Sequence, residues 1–199
     1  MESLLKLSRL IDGLNTRIGK SVIWLVLIAV LVSAINAIVR KAFNLSSNAF
    51  LELQWYLFAG VFLLGAPYTF LRNEHVRIDV VAGRFSHRTQ AWIDIFGILF
   101  FLLPMALMVL RLSWPVFVLS FETKEMSSNA GGLIVWPARL LIPVGFGLLV
   151  LQGLSELIKR FGFLKGLTPN PFVKEEGAKS AEEELAEAIR KRAGKQGDN

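Results

Sequence analysis

The chain has 199 residues, of which 53% are hydrophobic, and its formal net charge is +6. Its mean hydropathy of +0.50 is too high for an ordinary soluble domain of this length. It contains no cysteine, which excludes disulfides, thioether-linked haem and thiolate metal sites.

Residues 1–20 are predicted to form an amphipathic cytoplasmic helix. Their apolar side chains recur at the spacing of one helix face: Leu4, Leu7, Ile11, Leu14 and Ile18. Lys6, Arg9 and Asp12 lie on the opposite face. Two interpretations fit this pattern: a separate helix lying at the membrane interface, or an extended start to the first membrane span.

Four apolar blocks follow, and each is long enough to cross a hydrocarbon core that requires roughly 20 residues of helix. We place the spans at about 22–40, 49–71, 91–118 and 135–158. The third is longer than a bilayer requires, so it should tilt, kink at Pro104 or project beyond the membrane. The first is too long for the apolar part of a signal peptide and is interpreted as a retained anchor. Residues 21–160 are therefore predicted to be a four-helix membrane domain.

Basic residues concentrate on one side of these spans. They lie before the first span, between the second and third, and after the fourth: Lys6, Arg9, Arg17, Lys20, Arg72, Arg77, Arg84, Arg88, Lys159, Arg160 and Lys165. The other side holds only Arg40, Lys41 and Lys124. The positive-inside rule then places both termini in the cytoplasm. The fold class is thus an all-α integral membrane protein with four transmembrane helices, and its basic charge indicates lipid headgroups rather than nucleic acid as a partner.

Charged residues within spans are costly in lipid and therefore informative. Glu52, Asp94, Arg111 and Arg139 are of this kind, and they either line a pathway or pair structurally. Glu52 and Arg139 lie at equal depth near the outer interface, so we predict that they form an ion pair. Asp94 lies at the cytoplasmic end of its span, where a local salt bridge is favoured over a proton relay.

The loop after the second span is dense in mixed charges, including Arg72, His75, Arg77 and Asp79. It is either a solvated turn or a polar network that fixes the second and third spans together at the cytoplasmic surface. Arg72 and Arg77 lie near Asp94 in depth, which makes them candidate partners for its carboxylate.

Small residues repeat on one face of the first span. Ala29, Ser33 and Ala37 recur every four residues with Asn36 beside them, a spacing that favours close helix packing in lipid. The neighbour is either another span or a different subunit. Gln54 is a second polar residue of this kind, in the second span.

Enzymatic chemistry is not expected. The only two histidines, His75 and His87, lie in one loop, and no phosphate-binding loop, HExxH helix or nucleophile elbow is present. We predict no catalytic, substrate-binding or metal-ligating residue and no cofactor. Residues 161–199 become rich in Glu, Lys, Ala and Arg after Thr168-Pro-Asn-Pro and are predicted to be a charged, disordered cytoplasmic tail.

Several fragments of residues 15–160 resemble a known family when taken in order. They are Asn48-Ala-Phe-Leu-Glu-Leu-Gln-Trp-Tyr-Leu-Phe, Phe62-Leu-Leu-Gly-Ala, His75-Val-Arg-Ile-Asp79, Glu125-Met-Ser-Ser-Asn-Ala-Gly-Gly-Leu and Trp136-Pro. This set resembles the small, DctQ-like permease subunit of tripartite ATP-independent periplasmic (TRAP) transporters. With Leu151-Gln-Gly-Leu-Ser-Glu156, it looks like the branch labelled for mannitol or chloroaromatic compounds.

The resemblance implies a multi-pass protein of the bacterial inner membrane that works with a large, DctM-like permease subunit and a periplasmic solute-binding protein. It further implies sodium-coupled uptake of organic acids, such as 2-oxo acids, with this subunit enlarging the stationary part of an elevator-like carrier. A self-sufficient homo-oligomeric channel or exporter is the alternative.

The same resemblance, with the charge pattern, suggests two sets of site residues. Candidates for structure and the subunit interface are Asn36, Glu52, Gln54, Arg72, His75, Arg77, Asp79, Asp94 and Arg139. Candidates for docking of the binding protein are Glu122, Lys124 and Glu125.

Overall fold

The computed structural model describes residues 2–44, 47–73 and 85–168. Its helices are α1 (Glu2–Phe43), α2 (Asn48–Leu71), α3 (His87–Gly97), a π-helical segment (Ile98–Leu102), α4 (Leu103–Glu122) and α5 (Trp136–Leu164). The described residues contain no strand beyond one isolated antiparallel bridge between Met126 and Ile134. The all-α prediction is confirmed.

The described residues form four helices long and apolar enough to cross a membrane: Glu2–Phe43, Asn48–Leu71, His87–Glu122 and Trp136–Leu164. The third combines α3, the π-helical segment and α4. Large apolar side chains cover the outside of the bundle, and Phe62 on α2 is 77% exposed. Such a surface suits lipid, where apolar residues have no need to be buried inside the protein. The prediction of four spans is confirmed.

Helix α1 runs through the predicted boundary at residue 20 without a break. Its 42 residues correspond to about 63 Å of helix. The first turns of α1 bury Ser8, Ile11 and Asn15, whereas Leu7 and Leu14 are exposed. The continuous helix agrees with the second interpretation, an extended start to the first span. An interfacial position for its leucines stays a prediction.

The third span is irregular where the sequence predicts a kink. Proline lacks an amide hydrogen and its ring crowds the preceding turn, so helical hydrogen bonding cannot continue normally at Pro104. The residues just before it, Ile98–Leu102, form the π-helical segment. The helix continues on both sides, and its bounds, His87 and Glu122, lie beyond the predicted 91–118.

Helix α5 also ends later than predicted, at Leu164 rather than near residue 158. Gly166 has a φ of 72°, and the amides of Gly166 and Leu167 bind the carbonyls of Phe163 (2.9 Å) and Gly162 (2.9 Å). This is a Schellman termination, in which glycine takes the left-handed position after the helix. The first four residues assigned to the tail are therefore helical.

The fourth span, α5, lies at the centre of the bundle. It packs against α1, α2 and the third span, while α1 and α2 also pack on each other. Gly145 permits the close approach of α2, because a Cβ atom there would lie 2.7 Å from the Leu63 carbonyl oxygen. Helices in lipid associate through such small residues.

The start of α1 and the end of α5 lie at the same end of the bundle, since Ser8 and Ser155 are in contact. The side of the membrane that they occupy stays a prediction. His75, Arg77 and Asp79 lie outside the described residues, as does the tail from residue 169 onward.

Candidate functional site

Glu52 is held by the loop between α4 and α5. It lies in the second turn of α2 and is buried. Its carboxylate accepts hydrogen bonds from the Ser127 hydroxyl, the Asn129 side-chain amide (2.8 Å) and the Leu133 backbone amide (2.7 Å). Hydrogen bonds to a charged acceptor are stronger than neutral ones. An acid at the start of a span is thus accommodated by donors from a single loop.

The loop is shaped to present these donors. The Ser127 amide binds the Leu133 carbonyl (2.9 Å), which closes a narrow turn. Gly131 has a φ of 71°, in the left-handed region that favours glycine. At Gly132, a Cβ atom would lie 2.6 Å from the Ser127 Cβ and 2.8 Å from Glu52 Oε1. The Asn-Ala-Gly-Gly sequence is therefore required by the turn and by its approach to the carboxylate.

Arg139 binds Glu125, not Glu52. Both terminal nitrogens of the guanidinium donate to the Glu125 carboxylate, and Nη2 lies 2.7 Å from Oε1. The predicted Glu52–Arg139 ion pair is therefore wrong. The folded loop offers each charge a closer partner than the other: an acid in bidentate geometry for Arg139 and three donors for Glu52.

The three candidates for docking of the binding protein differ in whether their charge is accessible. Glu122 and Lys124 are exposed, whereas the carboxylate of Glu125 is occupied by Arg139. Only the first two present accessible charge. Docking of another protein at this loop stays a prediction.

A polar cluster joins α1 to α5 at the opposite end of the bundle, and we call it the inner network. Its members are Ser8, Asp12, Asn15, Asp94, Gln152, Ser155, Glu156, Lys159 and Arg160. The carboxylate of Asp12 accepts from Ser155 Oγ (2.7 Å), Gln152 Nε2 (3.0 Å) and Lys159 Nζ (3.0 Å). Asn15 Nδ2 donates to Gln152 Oε1 at 2.7 Å. The polar face of the first turns of α1 is thereby fixed to α5.

Arg160 extends the inner network to α3. Its Nε lies 3.0 Å from Asp94 Oδ2 and its Nη1 lies 2.5 Å from Glu156 Oε2. Arg160 and Glu156 are both buried. A buried charge without a partner is strongly destabilising, so each of the two side chains compensates the charge of the other. The salt bridge predicted at Asp94 is confirmed, with Arg160 as its described partner. Arg72 instead donates to the Tyr68 hydroxyl (3.2 Å).

The sequence contained a signal for this network that the charge count overlooked. Gln152, Ser155, Glu156 and Lys159 follow the i, i+3, i+4, i+7 spacing of one face of α5. A polar stripe on an apolar helix predicts a buried polar contact. The positive-inside rule alone interprets Lys159 and Arg160 only as determinants of orientation.

Asn36 and Gln54 lie together in a groove between α1 and α2 near their connection, the outer side in the predicted orientation. The groove measures about 640 Å³ and is lined by Ser33, Asn36, Ala37, Arg40, Lys41, Asn44 and Gln54. We call it the α1–α2 groove. The small-residue face of α1 therefore continues into a polar, cationic surface.

Among the described residues, no three His, Cys, Asp or Glu side chains are arranged to hold a metal ion. The polar groups of the two ends instead bind one another and hold helices and loops in place. The chemistry available at these sites is that of structural pairing.

Comparison with known proteins identifies a family. The model of the family described as "Tripartite ATP-independent periplasmic transporters, DctQ component" matches residues 21–162, which is most of the chain and all of α2 to α4. No curated protein and no solved structure matches the chain.

Proposed function

Because the chain belongs to the DctQ family of tripartite ATP-independent periplasmic transporters, we propose that it is a scaffold for the large permease subunit during uptake of organic acids. As a DctQ component it is the small membrane subunit of a transporter and not an enzyme. Members of the family work with a DctM-type large subunit and a solute-binding protein. The scaffold role, the sodium coupling and the solute class are the proposal.

The observation that supports the scaffold role is that the buried charged side chains are bound by other groups of the protein. Glu52 is held by a loop, and Arg160 binds both Asp94 and Glu156. The contacts of Glu52 with Leu133 and of Arg160 with Asp94 join elements that are far apart in the sequence, which makes the bundle rigid. A stationary support for a moving carrier domain requires such rigidity, whereas a transport pathway requires polar groups that can exchange partners.

The loop between α4 and α5, which lies on the outer side in the proposed orientation, supports a role in docking. Three hydrogen bonds to Glu52 and the Arg139–Glu125 pair fix its shape, so it can be bound without loss of loop entropy. Glu122 and Lys124 supply exposed charges beside it. We propose that this loop meets the periplasmic solute-binding protein, with the chain in the bacterial inner membrane and both termini in the cytoplasm. A 2-oxo acid or similar carboxylate is the proposed solute, because members of the wider family take up carboxylates.

Reconstitution tests the proposal. Sodium-dependent uptake is measured in liposomes that contain this chain alone, the large subunit alone, or both, each with the binding protein present. The expected result is uptake only with both subunits. Uptake by this chain alone would show that it is a self-sufficient channel or carrier, and uptake by the large subunit alone at full rate would rule out a required scaffold.

A further inference from the structure

The α1–α2 groove contains polar side chains to which the described residues offer no partner. Asn36 and Gln54 are half-buried, and neither makes a hydrogen bond within the described chain. Ser33 is satisfied by its own helix, through the Ala29 carbonyl at 2.9 Å. Two side-chain amides thus remain available to an external partner.

The groove lies beside a surface that is otherwise apolar. Leu31, Ile35 and Ile38 are exposed on the same stretch of α1. Lipid chains can cover those residues but offer no hydrogen bond to Asn36 or Gln54, and a polar group without a partner is costly in that environment. The groove is therefore better suited to a protein surface than to lipid.

The charge of the groove specifies the partner further. Arg40 and Lys41 are exposed, and the described residues supply neither with an acidic partner. Of the acids at this end of the bundle, Glu52 is bound by the loop and Glu125 by Arg139, and the exposed Glu122 does not line the groove. The local field is consequently positive and favours a carboxylate.

The shape of the groove favours a helix as the element that carries this carboxylate. Ser33, Ala37 and Arg40 lie along one face of α1, and the small side chains of the first two permit close approach of a second helix. Asn36 and Gln54 flank that approach and can bond to polar groups on it.

From this juxtaposition we propose that the α1–α2 groove receives a membrane helix of the large permease subunit that carries an Asp or Glu near its outer end, beside Arg40 and Lys41. The inference rests on the proposed function, which supplies the partner. A lipid phosphate offers similar negative charge, but it would leave the two amides and the small-residue face without use.

The test uses the assembled pair of subunits and a carbodiimide, which joins a carboxylate to a lysine amine through an amide with loss of water. Peptide mass spectrometry of the treated complex is expected to find Lys41 linked to an Asp or Glu of the large subunit. K41Q is expected to remove that link while the complex persists. The charge of the Asp or Glu that cross-links to Lys41 is then reversed together with the charge of Arg40.

Co-purification gives the second readout. Arg40→Glu is expected to lower the ratio of large to small subunit by about tenfold, since like charges then face each other. Lys6→Glu, an exposed charge reversal on the same helix but outside the groove, is the matched control and is expected to leave the ratio unchanged. Circular dichroism and thermal unfolding of the isolated variant establish that it is folded.

The outcomes separate the two proposals. If the subunits copurify but Lys41 links to no carboxylate of the large subunit and R40E retains the partner, the groove assignment is overturned. If R40E reduces only bound anionic lipid, the groove binds headgroups and the inference fails. If the wild-type subunits never copurify, the scaffold function itself fails.

Discussion

Arg139, in the first turn of α5, donates hydrogen bonds to the carboxylate of Glu125 from both terminal nitrogens of its guanidinium, and Nη2 lies 2.7 Å from Oε1. The pair connects the start of the α4–α5 loop to the helix that follows the loop. Because bidentate geometry is directional, the pair fixes the orientation of the loop as well as its position.

Exchange of these two charges should be tolerated better than reversal of either one. Arg139→Glu and Glu125→Arg each place like charges together and are expected to lower stability by about 1 kcal/mol, since the side chains are 30% and 36% exposed. The double reversal should recover most of this loss. Thermal unfolding in detergent measures it. The matched control combines Arg139→Glu with Glu52→Arg, which should show no recovery.

Removal of the Glu52 carboxylate should loosen the loop. Glu52→Ala leaves the half-buried Leu133 amide without its acceptor, at a cost of about 1–3 kcal/mol, whereas the exposed Asn129 side chain can bond to water instead. Hydrogen exchange at the Leu133 amide is expected to accelerate by at least about tenfold. Glu122→Ala removes an exposed carboxylate nearby and serves as the control. Unchanged protection at Leu133 in E52A would contradict the assigned role of Glu52.

Two glycines of α5 should respond in opposite ways to alanine. Gly145→Ala places a Cβ 2.7 Å from the Leu63 carbonyl oxygen and should force α2 and α5 apart, with a loss of about 1–3 kcal/mol. Gly147→Ala meets nothing within 4 Å and should be neutral or stabilising by up to about 1 kcal/mol. Thermal unfolding of both variants checks this. Equal effects would mean that α2 and α5 do not approach as described.

The absence of cysteine allows a direct test of the contact between α1 and α5. Ser8 Oγ and Ser155 Oγ lie 2.7 Å apart, so Ser8→Cys with Ser155→Cys should form an intramolecular disulfide under mild oxidation. Cleavage between residues 8 and 155 followed by gel electrophoresis reveals the link. Leu10→Cys, on a side chain that is 72% exposed, paired with Ser155→Cys should not form it. Failure of the first pair to cross-link would favour a separate interfacial helix.

Arg160 should matter more to stability than Asp94. Arg160→Met leaves the buried carboxylate of Glu156 with Lys159 as its remaining cation and removes the described partner of Asp94, so a loss of about 3–5 kcal/mol is expected. Asp94→Asn keeps a hydrogen-bond acceptor for Arg160 and should cost less. Urea or thermal unfolding ranks the two variants. A larger effect of D94N would show that the Asp94 contact is the principal one.

The number and order of spans could be predicted because each depends on local composition: about 20 apolar residues suffice to identify a transmembrane helix. The pairing of individual charged side chains could not be predicted in the same way. The assignment of Arg139 to Glu125 depends on how the loop folds back, and depth along a span carries no information about that. The extension of α5 to Leu164 had a local signal in Gly166, which the charge of the segment obscured.

The contacts between α1 and α5 also determine when the protein can finish folding. Ser8 and Ser155 are 147 residues apart, and synthesis at about 5–20 residues per second takes roughly 7–30 s to cover that distance. During this interval the polar face of α1 has not yet met the residues that satisfy it. Helices α1 and α2 can pack on each other earlier, but α5 is the last of the four described spans to be synthesised and packs against the other three, so the bundle is completed only after α5 has emerged. A chain interrupted before Gln152 would lack the α5 side chains that bind Asp12 and Asn15.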